Sequence, residues 1–228
     1  MSQFRGVMID VDGTLVDSND AHATSWVEAL AQHGYTVPFE TIRRAIGMGG
    51  DNLLPSVVGL DKDSPDGQRI SKTRDKIFME QYLPKLAPFP KVREMVQRMQ
   101  DAGLKLAIAS SSSPEQLDAL LKIARVDDLI ETHVSSGEAK NSKPDPDIIQ
   151  VALKKLGMKA HEAVMLGDTP YDIVSASKAG AATIALRSGG WDSDDLKDAI
   201  AVFDSPADLL AHFDESPLGA TEGTKTRA

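Results

Sequence analysis

Short apolar runs alternate with helix-like stretches through most of this chain. Residues 104–109 (LKLAIA), 163–166 (AVML), 182–186 (ATIAL) and 200–203 (IAVF) are strand-length runs with little polar alternation. Such a strand is covered on both faces, as in a parallel sheet. Between them the spacing predicts helices over residues 90–102, 114–124, 145–156 and 170–179, stopped by Gly103, Gly157 and Gly180, with a last helix over 206–213. Residues 133–135 read as a further short strand. Alternation of this kind predicts an α/β fold built on a parallel sheet.

The first strand, Val7-Met8-Ile9, is followed by something else. From Ser18 onward Ala23, Trp26, Val27 and Leu30 recur at helical spacing, with Ser18 as the expected cap and Gly34 as the stop. Further helices are predicted over residues 39–46, 53–58 and 66–82, before Pro84, Pro88 and Pro90 interrupt the chain. This excursion is far longer than an ordinary connection. It predicts a helical cap domain (16–86) inserted into a core made of 1–15 and 87–215. Residues 216–228 are small and polar and are expected to form a disordered tail.

At 228 residues and 41% hydrophobic content, the chain can bury a sizeable core. It has no cysteine, which excludes disulfides, thiolate catalysis and cysteine-ligated metals. A formal net charge of −9 argues against nucleic acid or an anionic membrane as partner. No apolar run approaches the about 20 residues of a membrane span, and the start shows no signal-like segment. The default is a cytoplasmic protein, monomer or homodimer.

Ligands of parallel sheets bind beyond the carboxyl ends of the strands, and four such ends here carry polar clusters. Asp10 and Asp12 follow the first. If the extended conformation persists they point the same way, and two converging carboxylates call for a cation, with Mg²⁺ suited to hard oxygen ligands; an ordinary strand followed by an Asp-Gly turn is the plain alternative. Ser110 to Ser113 follow the second. Ser113-Pro114-Glu115-Gln116 matches a helix start with a capping box, whereas Ser110, Ser111 and Ser112 make either an anion site or a solvated turn. Lys143, held extended by Pro144, is either a fixed ammonium or a surface lysine. In Gly167-Asp168-Thr169-Pro170-Tyr171-Asp172, Thr169 and Asp172 fit a capping box, which leaves Asp168 as the better metal ligand.

Taken together, DxDGT, a serine strand end, Lys-Pro and GDxxxD in this order resemble the haloacid dehalogenase superfamily of phosphohydrolases, in the branch of phosphoglycolate phosphatase, sugar phosphatases and beta-phosphoglucomutase. The resemblance spans residues 7–213 and implies a Rossmann-like core. It implies Asp10 as nucleophile and Asp12 as general acid/base, Ser110 and Ser111 as phosphate binders, and Lys143 as the residue steadying nucleophile and phosphate. Mg²⁺ would be held by Asp10, Asp168 and the backbone carbonyl of Asp12, with Asp172 and Thr14 in support. The expected substrate is a small phosphorylated metabolite; the rivals are a phosphosugar mutase and a silent binding protein. An acid at the place of Asp12 is absent from the dehalogenases themselves, which points to phosphate esters. In the cap, His22 near the hinge, the Gly47–Asn52 loop, and Arg43, Arg44, Arg74 and Lys76 are candidate substrate contacts or plain surface. The loop carries no basic residue of the kind with which mutase relatives hold a second phosphate.

Overall fold

The computed structural model describes residues 4–219. Six strands, β1 (Gly6–Ile9), β2 (Lys105–Ala109), β3 (Thr132–Val134), β4 (Ala163–Gly167), β5 (Ala182–Leu186) and β6 (Ala201–Phe203), form one sheet. All neighbours are parallel, in the order β3-β2-β1-β4-β5-β6. The register sets Ile9 opposite Ile108 on one side and Leu166 on the other. The chain therefore leaves β1, β2 and β4 at nearly the same level, and Asp10, Ser110 and Asp168 share one sheet edge.

Residue parity explains the double covering. Val7 and Ile9 pack on one face with α5 (Val92–Asp101), α6 (Pro114–Ala124) and α9 (Pro206–Ala211); Met8 packs on the other with α7 (Asp147–Leu156) and α8 (Pro170–Lys178). Helix starts follow side-chain chemistry. The hydroxyl of Ser113 accepts from Gln116 N–H, and Thr169 and Asp172 form a reciprocal box at α8. Gly157 closes α7 at φ 67°, a conformation that suits a residue without Cβ.

Between β1 and β2 lie α1 (Asn19–Gln32), α2 (Phe39–Ala45), α3 (Gly50–Val58) and α4 (Pro65–Ile77), the last continuing as a π-helical turn over Phe78–Tyr82. These helices bury their own cluster, with Trp26, Leu30, Ile42, Leu53, Leu54, Ile70 and Ile77 at its centre, separate from the clusters on the sheet. The insert leaves and re-enters through paired linkers: Asp17 N–H donates to Ala87 O at 3.1 Å, and Phe89 N–H to Leu15 O at 3.0 Å.

Four expectations need correction. The strand ends at Ile9, and Val11 O accepts from the N–H groups of Thr14, Leu15 and Val16, so the extended backbone does not persist to Asp12. Ser18 stands before α1 but does not cap it; its hydroxyl donates to the stronger acceptor, Asp12 Oδ1, at 2.5 Å. Gln116 does not complete a box with Ser113, because its amide reaches across to the insert. The chain does not become a loose tail at residue 216: Ser216 and Leu218 are buried and Leu218 joins the main core cluster, while residues 220–228 of that expected tail lie outside the described residues. Among the described residues no helix is long and apolar enough to cross a membrane.

Candidate active site

Asp10 is carried into the site by the end of β1. Its Oδ1 accepts from Lys143 Nζ, which also donates to Asp172 Oδ1 at 2.7 Å. Lys143 sits at a cis Lys143–Pro144 bond and is only 2% exposed, so the position that read as a possible surface lysine is a buried bridge between two acids. Burial works against the charged lysine, but Asp10 and Asp172 outweigh it and hold the ammonium well above its ordinary range.

Asp168, at the end of β4, lies beside this pair. Its Oδ1 accepts from Thr14 Oγ1 at 2.9 Å and its Oδ2 from Asn19 Nδ2 at 2.9 Å. Gly13 and Gly189 close the space around it, and a Cβ on either would overlap its carboxylate. Carboxylate oxygens of Asp10, Asp168 and Asp172 all fall within 4.8 Å of one another, and all three residues are buried. One ammonium cannot balance three acids. Burial, reinforced by the neighbouring carboxylates, pushes Asp10 well above the usual range and Asp168 up to about 7. A divalent cation with a preference for oxygen would relieve that repulsion, and the donor set fits one. The carboxylate grouped with Asp10 and Asp168 is that of Asp172; the side chain of Asp12 takes no part.

Asp12 faces the other way. Its Oδ1 accepts from His22 Nε2 at 2.6 Å and from Ser18, and its Oδ2 accepts from Ser112 Oγ at 3.0 Å. The tautomer of His22 follows from its second neighbour. Arg74 reaches His22 Nδ1, and a guanidinium can only donate. Nδ1 is therefore the acceptor, and Nε2 carries the proton given to Asp12. Burial, with Arg74 adding to it against Asp12, lowers the pKa of His22 and keeps the ring neutral. For Asp12 burial favours the neutral acid, but the donors His22, Ser18 and Ser112 prevail and hold it well below the usual carboxylate range.

These groups open into a cavity of about 280 Å³ between sheet edge and insert. Asp10, Asp12, Lys143, Ser111 and Ser112 line the sheet side, and Trp26, Ser71, Arg74 and Asp75 face them. Ser110 is buried, its Oγ accepting from Ser112 N–H, so the cavity wall itself is made by Ser111 and Ser112. The hydroxyls of Ser111 and Ser71 and Arg74 Nε are buried without a hydrogen-bond partner among the described residues, as expected of groups that meet a ligand.

The sequence reading missed what the insert contributes. Asn19 was unmarked, and Arg74 stood only among several basic residues. Arg74 is 8% exposed, stacked near Trp26 and Phe78, and shares a ring of hydrogen bonds with Asp75 and Gln116 of α6. Arg43 and Arg44, by contrast, bind Asp20, Gly189 O and Asp195 outside the cavity. A basic residue in an otherwise apolar stripe with Ile70 and Ile77 was the available signal for Arg74.

The likeness to known proteins extends over nearly the whole arrangement. Residues 7–186 match the family of haloacid dehalogenase-like hydrolases. Pyrophosphatase PpaX of Bacillus pumilus is 30% identical over 186 residues, covering 81% of this chain and 84% of that protein. A phosphoglycolate phosphatase of Yersinia pestis is 29% identical over 215 residues, covering 92% and 90%. A hydrolase from Pseudomonas syringae, 29% identical, has a crystal structure that superposes with a TM-score of 0.85 over 92% of this chain and 98% of that one. The chain belongs to the haloacid dehalogenase-like hydrolases.

Proposed function

We propose that the protein is a Mg²⁺-dependent phosphatase of a small phosphorylated metabolite, working through an aspartyl-phosphate on Asp10. The observation that carries this reading is the bridge from Lys143 to Asp10 inside the buried acidic group, with the carboxylate of Asp12 on the wall of the same cavity. Asp10 is the nucleophile. Lys143 favours its ionised form against burial and offsets the charge of an incoming phosphate, which the Ser111 and Ser112 hydroxyls can bind. Asp12 gives a proton to the leaving oxygen, and its carboxylate then takes one from the water that opens the acyl phosphate. The donors now around Asp12 favour the base form, which suits the second half of this cycle. Its use as an acid in the first half requires the His22 contact to loosen. Mg²⁺ held by Asp10 and Asp168, with Asp172 beside them, would supply charge neutralisation at the phosphoryl group.

The leaving group is set by the insert. On that wall Arg74 is already engaged by Asp75, and Lys62 and Asp51 also line it, so two cations are matched in number by two acids. Trp26, Ile46 and Met48 complete it. A second phosphate or a carboxylate would find no surplus of positive charge there. Uncharged hydroxyls would find acceptors and an aromatic surface. This supports an alcohol phosphomonoester over pyrophosphate or phosphoglycolate, the compounds in the names of the relatives.

The test has two arms. Asp10→Asn should abolish phosphate release from p-nitrophenyl phosphate with its circular dichroism unchanged; retained turnover removes Asp10 as nucleophile. On wild type, kcat/KM should be higher for sugar and polyol monophosphates than for pyrophosphate or phosphoglycolate, and the reverse order would overturn the leaving-group assignment.

A further inference from the structure

The first turn of α3 holds the backbone of the lysine. Asn52 Nδ2 donates to Ser142 O at 3.1 Å and to Lys143 O at 3.2 Å. Asp51 Oδ2 accepts from Ser142 N–H at 3.0 Å. Two consecutive side chains of the insert therefore engage three backbone groups of two consecutive core residues. Gly49 brings them close enough, since a Cβ there would overlap the side chain of Ser142. Ser142 and Lys143 are both buried, and the bonds to them are partly shielded from solvent.

We propose that Asn52, with Asp51 beside it, is a positioning residue for Lys143. The insert seats the lysine by its main chain, and the Asp10–Lys143–Asp172 bridge reaches working geometry only while α3 is docked. Neither side chain has to touch substrate for this. The physical need is clear: an ammonium that serves two carboxylates at once tolerates little displacement, and a misplacement of about 1 Å far from the chemistry can cost about 100-fold in rate. The insert then does more than cover the cavity, because undocking it also withdraws the counter-charge from Asp10.

This inference rests on the phosphatase reading, and its test separates the two. Asn52→Ala in the full chain with saturating Mg²⁺ should lower kcat for p-nitrophenyl phosphate at least tenfold. KM should stay within about twofold, as for a group acting on the reacting atoms and not on binding. Amide hydrogen exchange at Ser142 and Lys143 should rise while exchange in α1 and α4 stays as in wild type. Unchanged kcat, a rise confined to KM, or a lower kcat with unchanged exchange at 142–143 would each overturn the proposal. If Asn52→Ala does not fold, Asp51→Ala, which loses the Ser142 N–H bond, is read by kcat and by exchange at 142–143 alone, because Asp51 also lines the cavity and its loss can move KM. Should wild type turn over no phosphate ester, the phosphatase reading fails, and the exchange measurement still decides whether α3 holds Lys143.

Discussion

Replacing Lys143 with methionine keeps most of the side chain's length and removes its charge. The side chains of Lys143, Asp10 and Asp172 are 2%, 8% and 1% exposed, so solvent does little to compensate. Removing one partner from a buried ionic group costs about 3–5 kcal/mol. The loss should depend on pH with a definite sign. Lys143 has a raised pKa, so its stabilisation is complete below the ordinary lysine value and is lost only as pH rises through the folded one. It is therefore fully present between about pH 5 and 8. Asp10 behaves oppositely. Its folded pKa lies above the ordinary value because of burial, and Lys143 is the influence holding it down. Without Lys143 it climbs further, destabilising the fold once pH exceeds about 4, and protonation relieves that cost as pH falls. Urea unfolding in EDTA should thus show Lys143→Met less stable than wild type by about 3–5 kcal/mol at pH 8, with a smaller deficit at pH 5. A midpoint equal to that of wild type at pH 8, or the same deficit at both pH values, would refute the assignment of Lys143 as the counterweight to the acids.

Two further outcomes follow from the acidic group. Burial raises Asp168 to about 7, so the metal-free protein loses stability as pH climbs from 5 through that value, and a cation should restore more at pH 8 than at pH 5. At a Mg²⁺ concentration about 100 times its Kd the gain is about 2.7 kcal/mol, or about 5–10 °C in Tm for a chain of this size; scanning calorimetry with Mg²⁺ or EDTA reads it, and an equal shift at both pH values would contradict it. Gly189→Ala places a methyl against Asp168 Oδ2. It should lower the Tm in EDTA, as overpacking a buried site does, and erase the Mg²⁺-dependent rise, and a preserved Mg²⁺ response would show that the carboxylate is not confined as described.

The parts of the site that could be read from the chain are those fixed by local pattern. A buried strand announces itself by an apolar run, and the polar residue at its exit is then at the sheet edge by construction, which is how Asp10 and Asp168 were found. Thr169 and Asp172 were legible because a capping box is a contact over three residues. Ser18 was misread by the same logic: capping preference is a local rule, and it yielded to the nearby carboxylate of Asp12. Asn19, Asn52, Arg74 and Gln116 could not be placed, because each acts across the junction between insert and sheet. Their roles depend on the docking of two separately packed bodies, which no periodicity encodes. Leu218 was lost for another reason: a single apolar residue in polar surroundings gives no pattern, yet it finds a place in the core.

The paired linkers at Asp17–Ala87 and Leu15–Phe89 give the insert a single doorway. A segment that departs and returns through one point places no demand on the strand order behind it. Helices of another length can be grafted there without rethreading the sheet. A rotation about that doorway would carry His22, Asn52 and Arg74 together, and with them their contacts to Asp12, Lys143 and Gln116.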